Sequence, residues 1–270
     1  MIEILDINDE KLDIFKNLSE NQLAHIYEPA PGLFMAESLK VLERALNAGY
    51  IPQYALIEDK MLSSVSHLFK GYENLKVYVA TFEVLTNLTG YHMTGGVLCA
   101  MYRKKLPEID MILKNAKRIA VLEDVVNPTN IGSIFRNAAA LGIDGIILSP
   151  GCCDPLYKRA IRVSMGTVFQ IPWTFINKNT SWPAEGMSYL KSNGFKIAAM
   201  ALDEKAISIK NKQLNNEEKL AILLGSEGNG LCNETLDLCD YTVMIPMKHG
   251  VDSLNVAAAS ALAFWELSLK

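Results

Sequence analysis

The sequence predicts an α/β protein: a mostly parallel sheet covered by helices, preceded by a smaller α/β unit. Three observations lead there. Strand and helix signals alternate along all 270 residues, as where successive strands are joined by crossover helices. The strand signals of the C-terminal half are near-continuous apolar runs, the pattern of strands buried on both faces. The basic trio Arg103-Lys104-Lys105, followed by Pro107, interrupts this rhythm and separates two segments of ordinary domain size.

The first segment opens with a helix expected over residues 8–25. The apolar run Leu33-Phe34-Met35-Ala36 follows. A helix over 37–48 then places Leu39, Val41, Leu42 and Leu46 on one broad face, and Gly49 stops it. Strands are expected at 54–57, 76–80 and 97–101, with helices at 61–69 and 81–88 between them. Residues 1–107 thus read as one unit, 108–117 as a linker and 118–270 as the larger domain. The basic trio could touch phosphate, although a solvated charge run is the commoner reading. In the larger domain apolar strands are expected at 119–122, 145–148, 196–200, 220–224 and 241–245. The last helix, expected over 253–269, carries Leu254, Val256, Leu262, Phe264, Trp265 and Leu267 and has almost no polar face. Such a helix should be covered on both sides, by the sheet and by a second copy of the chain.

Composition bounds the function classes. Half the residues are hydrophobic and 21% are charged, enough for a sizeable core and against wholesale disorder. A formal net charge of −4 argues against a polybasic nucleic-acid binder but permits a local basic face. No apolar run reaches the roughly eighteen residues of a membrane span, and the start, Met1-Ile2-Glu3-Ile4, lacks a signal-peptide layout. A cytoplasmic protein without membrane partners is expected. Five cysteines lack any Cys-x-x-Cys spacing and are accompanied by only four histidines, which implies reduced thiols and no bound metal.

Three separated blocks carry polar residues into apolar surroundings, each where a strand gives way to a loop or helix. In the first, Glu123-Asp124 and Asn127-Pro128 make a turn, and Thr129 or Asn130 can cap the next helix. Six positions separate Asn130 from Arg136, so the two do not share a helical face if both lie in the helix. With Asn130 in the loop, Arg136 would project near the helix N-terminus, where backbone N–H groups favour an anion. The plainer reading is a capped core helix with one surface arginine.

The second block, Leu224-Gly225-Ser226-Glu227-Gly228-Asn229-Gly230, looks like a phosphate loop but lacks a Lys-Ser/Thr pair and carries an acid instead. Its glycines follow the fourth strand of the domain, not the first, which disfavours a nucleotide-dependent oxidoreductase. Its backbone suits a flat or neutral ligand. The third block is a strand ending at Ile245-Pro246-Met247, a loop, and a helix start at Ser253-Leu254-Asn255-Val256. Pro246 interrupts the ladder where backbone would face a ligand. Ser253 reads as the N-cap, which leaves Asn255 in an apolar first turn without an evident structural reason. His249 reads as a solvated loop residue.

The order Asn130-x-Gly132-x-x-x-Arg136-x-Ala138, then Leu224-Gly225-x-Glu227-x-x-Gly230, then Ile245-Pro246-Met247 with Ser253-Leu254-Asn255-Val256 resembles the SpoU (TrmH-type) RNA 2′-O-ribose methyltransferases of the SPOUT superfamily. The likeness runs from about Arg118 to the end and includes Arg162-Val163-Ser164-Met165-Gly166. It implies S-adenosylmethionine as methyl donor, held around Leu224, Gly225, Gly230, Ile245, Pro246, Met247 and Leu254. It further implies a deep C-terminal trefoil knot and a homodimer whose active site draws on both subunits. By the same resemblance the first unit binds the RNA, with ribosomal RNA expected over transfer RNA. Arg136 takes the place of the arginine held to activate the ribose hydroxyl, although a guanidinium is a poor base. Asn130, Glu227, Ser253 and Asn255 complete the implied site. The non-enzymatic alternative is a silent RNA-binding factor on the same fold, against which the intact polar set counts.

Overall fold

The computed structural model describes residues 2–90, 95–177, 180–203 and 205–268. It divides into two compact units, Met1–Lys105 with Leu156–Gln170, and Leu106–Pro155 with Ile171–Lys270.

In the first unit, strands β1 (Ile2–Ile4), β2 (Leu33–Glu37), β3 (Pro52–Glu58), β4 (Lys76–Ala80) and β5 (Val97–Tyr102) form a mixed sheet in the order β1-β4-β3-β5-β2. β4 runs parallel to β1 and β3, whereas β5 is antiparallel to β3 and β2. Helices α1 (Asp13–Lys16), α2 (Glu20–His25), α3 (Leu39–Asn47), α4 (Leu62–Val65) and α5 (Phe82–Thr89) accompany it. The helix expected over 8–25 is therefore broken. Ser19 accepts from the Gln22 N–H while the Gln22 side chain accepts from the Ser19 N–H, and this capping box starts a new helix more favourably than serine continues an old one. The segment 61–69 is likewise fragmented, with α4 between short 3-10 turns at Asp59–Met61 and Ser66–Phe69. α3 buries Val41, Leu42 and Ala45, and Gly49 beyond it adopts φ +75°, a left-handed conformation that glycine reaches without strain.

The second unit begins with α6 (Ile109–Leu113). Residues 108–117, expected as a linker, thus contain a helix whose Ile112 and Leu113 are buried in this unit's core. The strands are β6 (Arg118–Leu122), β7 (Gly145–Leu148), β8 (Trp173–Phe175), β9 (Lys196–Met200), β10 (Ile207–Ser208), β11 (Leu220–Leu224) and β12 (Tyr241–Met244). They form a sheet in the order β10-β12-β9-β11-β6-β7-β8, parallel at every pairing. The central β6, β7 and β11 are buried at every residue, as their unbroken apolar runs require. The edge strands β8 and β10 have no counterpart in the sequence reading, being too short to show a pattern.

Helix α7 (Pro128–Ala140) follows β6, and between β7 and β8 the chain makes α8 (Lys158–Val163). α8 packs on β2 and belongs with the first unit, so the stretch from Leu156 to Gln170 is an excursion from the sequence-contiguous domain expected over 118–270. α9 (Ala184–Ser192), α10 (Lys212–Asn216), α11 (Asn233–Leu238) and α12 (Val256–Leu267) complete the second unit. α12 starts three residues later than the expected 253; Leu269 lies outside the described residues. α12 buries Val256, Ala263, Phe264 and Leu267, but Leu262 is 45% and Trp265 63% exposed. No helix among the described residues is long and apolar enough to cross a membrane.

Candidate active site

Because the second sheet is parallel, β6, β11 and β12 end on one edge, the edge where open α/β sheets carry ligands. All three polar blocks of the sequence follow these ends.

The first block is organised by α7. Its N-cap is Asn127, whose side chain accepts from the Thr129 N–H at 2.8 Å, with Pro128 at the first helical position. This corrects the expectation of a cap at Thr129 or Asn130. Asn130 instead sits inside the first turn, 5% exposed. Asn130 is not in the loop, so Arg136, the ninth residue of the helix, lies two turns beyond the N-terminus, and the plainer arrangement of a capped core helix with a surface arginine is the one observed. Arg136 is exposed, and among the described residues no hydrogen bond or ion pair engages its guanidinium.

The second block is a narrow loop after β11. Ser226 and Gly230 pair through two backbone hydrogen bonds, at 3.2 and 3.1 Å. A Cβ on Gly225 would lie 2.4 Å from the Gly230 carbonyl carbon and 2.6 Å from the Leu231 nitrogen. Only glycine allows so close a return of the chain. Glu227 is exposed at the loop tip.

The third block lines a cleft. Ile245, Met247, Asp252, Ser253 and Leu254 face Met200 and neighbouring residues after β9. Pro246 is exposed just past the end of β12. Ser253 lines this cleft and does not cap α12; the N-cap is Asn255, whose Oδ1 accepts from the Ala257 N–H at 2.9 Å. The structural reason that Asn255 lacked in sequence is therefore supplied. Its Nδ2 also donates to Asn130 Oδ1 at 3.3 Å, joining the first and third blocks. Asn137 reinforces the junction, donating to the Ala257 carbonyl and Ser260 Oγ, both at 2.9 Å. Within the chain, then, Asn130 meets Asn255, and Ile245, Met247, Ser253 and Leu254 share a cleft. Of the other expected residues, Leu224, Gly225, Gly230, Pro246, Asn130, Asn255, Arg136 and Glu227 do not line that cleft.

Two charged residues that support the site were not singled out in sequence. Glu123, 3% exposed, accepts from the Cys232 N–H (2.7 Å), the Trp182 indole N–H (2.8 Å) and the Thr235 hydroxyl. Arg118, 1% exposed, opens β6 and donates to five main-chain carbonyls. Burial holds its pKa below the ordinary arginine value, against the opposing pull of Asp144 and Glu217. The available signal was a charged residue at each end of an otherwise apolar strand.

A family model described as the SpoU rRNA Methylase family matches residues 117–265. An uncharacterized tRNA/rRNA methyltransferase of Mycobacterium tuberculosis is 36% identical over 265 residues, which cover 98% of this chain and 90% of the relative. Among solved structures, an AdoMet-bound rRNA methyltransferase from Sinorhizobium meliloti aligns with a TM-score of 0.82 at 24% identity, covering 98% of this chain and 96% of that one. The SpoU methyltransferase AviRb from Streptomyces viridochromogenes, in complex with AdoMet, aligns at 0.73 and 23% identity over 87% of this chain and 89% of its own. The structural likenesses establish a shared fold. The sequence matches, one spanning more than half the chain and the other nearly all of it, establish more: this protein belongs to the SpoU family of RNA methyltransferases.

Proposed function

We propose that this protein transfers a methyl group from S-adenosylmethionine to a ribose 2′-hydroxyl in structured RNA, ribosomal RNA rather than transfer RNA. The observation that carries the reading is the Asn255–Asn130 hydrogen bond. It brings the first and third blocks together beside Leu254, which lines the cleft. The cleft suits the donor: apolar side chains offer a surface for a flat base, and the Asp252 carboxylate favours a sulfonium cation. The AdoMet-bound S. meliloti and AviRb structures support the same donor.

Bound there, the donor supplies an activated methyl group. Transfer makes the oxygen–methyl bond as the carbon–sulfur bond breaks, with the hydroxyl proton lost to solvent and a neutral thioether left behind. Such a displacement needs in-line approach, so positioning is the main task of the protein. In this reading Leu224, Gly225, Gly230, Ile245, Pro246, Met247 and Leu254 shape the donor pocket. Asn130, Glu227, Ser253 and Asn255 arrange its polar rim. Arg136, permanently charged, orients the acceptor ribose and its phosphate rather than serving as the base.

The reading includes a homodimer. Trp265 and Leu262 are exposed on α12, a costly surface to leave in water, and Arg136 lies outside the cleft of its own protomer. A partner subunit that covers α12 and lends its Arg136 accounts for both. The first unit, Met1–Lys105 with Leu156–Gln170, would hold the RNA, and the second, Leu106–Pro155 with Ile171–Lys270, would carry the chemistry with the trefoil knot of the superfamily.

Labelled S-adenosylmethionine and RNA from cells lacking the gene test the function. Label is expected at one ribose of ribosomal RNA, as a 2′-O-methyl that protects the adjacent linkage from alkali. Label on a base, or confined to transfer RNA, would overturn the proposed acceptor. Light scattering should report a dimer that Trp265→Glu weakens; a fully active monomer would refute the shared site.

A further inference from the structure

We propose that Glu123 is the positioning residue of the loop 225–231, controlling the methyl-donor pocket by pinning both ends of that loop; the inference rests on the function proposed above. Neither Glu123 nor the loop 225–231 lines the cleft; the loop's part in the donor pocket belongs to the proposed function. Its backbone N–H donates to the carbonyl of Leu224, the residue before the loop, at 2.9 Å. Its side-chain Oε1 accepts from the N–H of Cys232, the residue after the loop, at 2.7 Å. One residue therefore sets the span across which the loop must close. Inside that span the Ser226–Gly230 pairing and the tight return at Gly225 leave little freedom.

The chemistry of the side chain matters as well as its reach. Oε2 takes two further donors, the Trp182 indole and the Thr235 hydroxyl, and no ion pair neutralises the carboxylate among the described residues. Three donors converge on two oxygens, which an ionised carboxylate satisfies and an amide cannot, because one end of an amide is itself a donor. Glutamine at 123 would retain the Trp182 and Thr235 bonds by turning its oxygen toward them. Its NH2 group would then face the Cys232 N–H and release the far end of the loop. A residue that merely supported the fold would be insensitive to which of its oxygens is lost.

The experiment compares Glu123→Gln, Thr235→Val and wild type as full-length protein. Hydrogen exchange reads the loop amides, and calorimetry reads S-adenosylmethionine binding. In Glu123→Gln the Cys232 and Gly230 amides should exchange faster and donor affinity should fall about tenfold, equivalent to about 1.4 kcal/mol, while the single-turnover rate at saturating donor changes less than about threefold. Thr235→Val should shift affinity less than about twofold, since the Cys232 bond survives. Should Glu123→Gln fail to fold, Cys232→Pro removes the N–H together with the thiol that contacts the Thr235 hydroxyl, and Cys232→Ala, which removes the thiol but keeps the N–H, is its control. Cys232 already has φ −70°, which proline adopts, and the same tenfold loss is expected. Unchanged donor affinity with an opened Cys232 amide would overturn the proposal, as would an equal loss in Thr235→Val. A wild-type protein that does not bind the donor would instead overturn the proposed function. In that case the amide exchange of Glu123→Gln still decides whether Glu123 pins the loop.

Discussion

Arg118 and Arg136 flank the same strand-to-helix connection and live in opposite surroundings. Arg118, at the start of β6, spends every N–H of its guanidinium group on main-chain carbonyls. Nε reaches Leu267, Nη1 reaches Lys117 and Glu218, and Nη2 reaches Asn215 and Glu217, over 2.8 to 3.3 Å. It ties the first strand of the sheet to the end of α12. Arg136, midway along α7, is exposed and spends none among the described residues. A buried cation persists only where its donors are satisfied internally; a solvated one keeps them for a ligand. The same residue type is thus structural at one site and solvated at the other, where the proposed function assigns it the acceptor.

The sharpest test of that contrast is Arg136→Ala. Methyl transfer is expected to fall by about a hundredfold or more, as when a group that orients the reacting atoms is removed, with stability within about 0.5 kcal/mol of wild type. Single-turnover assays at saturating donor and thermal melts check both halves. Near-normal activity would break the comparison at its functional end.

Arg118→Met should do the reverse. Removing the guanidinium strands the buried Leu267 carbonyl and takes a donor from four part-buried ones, at a cost of about 2 kcal/mol, while donor affinity of the folded fraction stays near wild type. Chemical denaturation with calorimetry measures this. A loss under about 1 kcal/mol would mean that water replaces the guanidinium at little cost.

Asn255 combines both kinds of role in one side chain, its oxygen capping α12 and its nitrogen meeting Asn130. Asn255→Ala should cost about 1 kcal/mol through the lost cap and reduce turnover. Asn255→Asp keeps the capping oxygen and loses the donor, so stability should return while activity does not. Recovery of both would reduce the Asn130 contact to an incidental one.

The smallest effect is expected at Asp240, where charge sits near the surface. Burial pushes its pKa up, but the Ile197 N–H and the ammonium groups of Lys196 and Lys191 outweigh it, leaving the carboxyl below the ordinary value. A folded-state pKa below the unfolded one stabilises above the unfolded value of about 4. That contribution is lost as pH falls through the folded value. Partly solvated pairs contribute little, so Asp240→Asn should cost no more than about 0.5 kcal/mol. Denaturation midpoints at pH 7 and pH 3 should differ slightly less in the variant than in wild type.

Much of the second sheet was legible in the sequence because a strand buried on both faces needs an unbroken apolar run. β6, β7, β9 and β11 coincide with such runs to within a residue. The short edges β8 and β10 offered too few residues for any pattern, and the helix expected over 8–25 is broken because apolar spacing says nothing about where a competing cap intervenes; the fragments within 61–69 carry no side-chain cap. Leu156–Gln170 joins the first unit although it lies between two strands of the second, a choice made by long-range packing. At the candidate site, residue types and their order were readable from the chain alone, and with them the family.

Which residues meet was decided only by the tertiary structure. The parallel alignment of β6, β11 and β12 brings three distant connections to one edge. The start of α12 at Val256 turns Asn255 toward Asn130, and the burial of Glu123 lets it hold both ends of the 225–231 loop. Periodicity is a local property that one strand or helix imposes on its own residues. Caps, buried charges and cross-motif hydrogen bonds depend on angles and on distances of about 3 Å between segments far apart in the chain, and these exist only once the segments have packed.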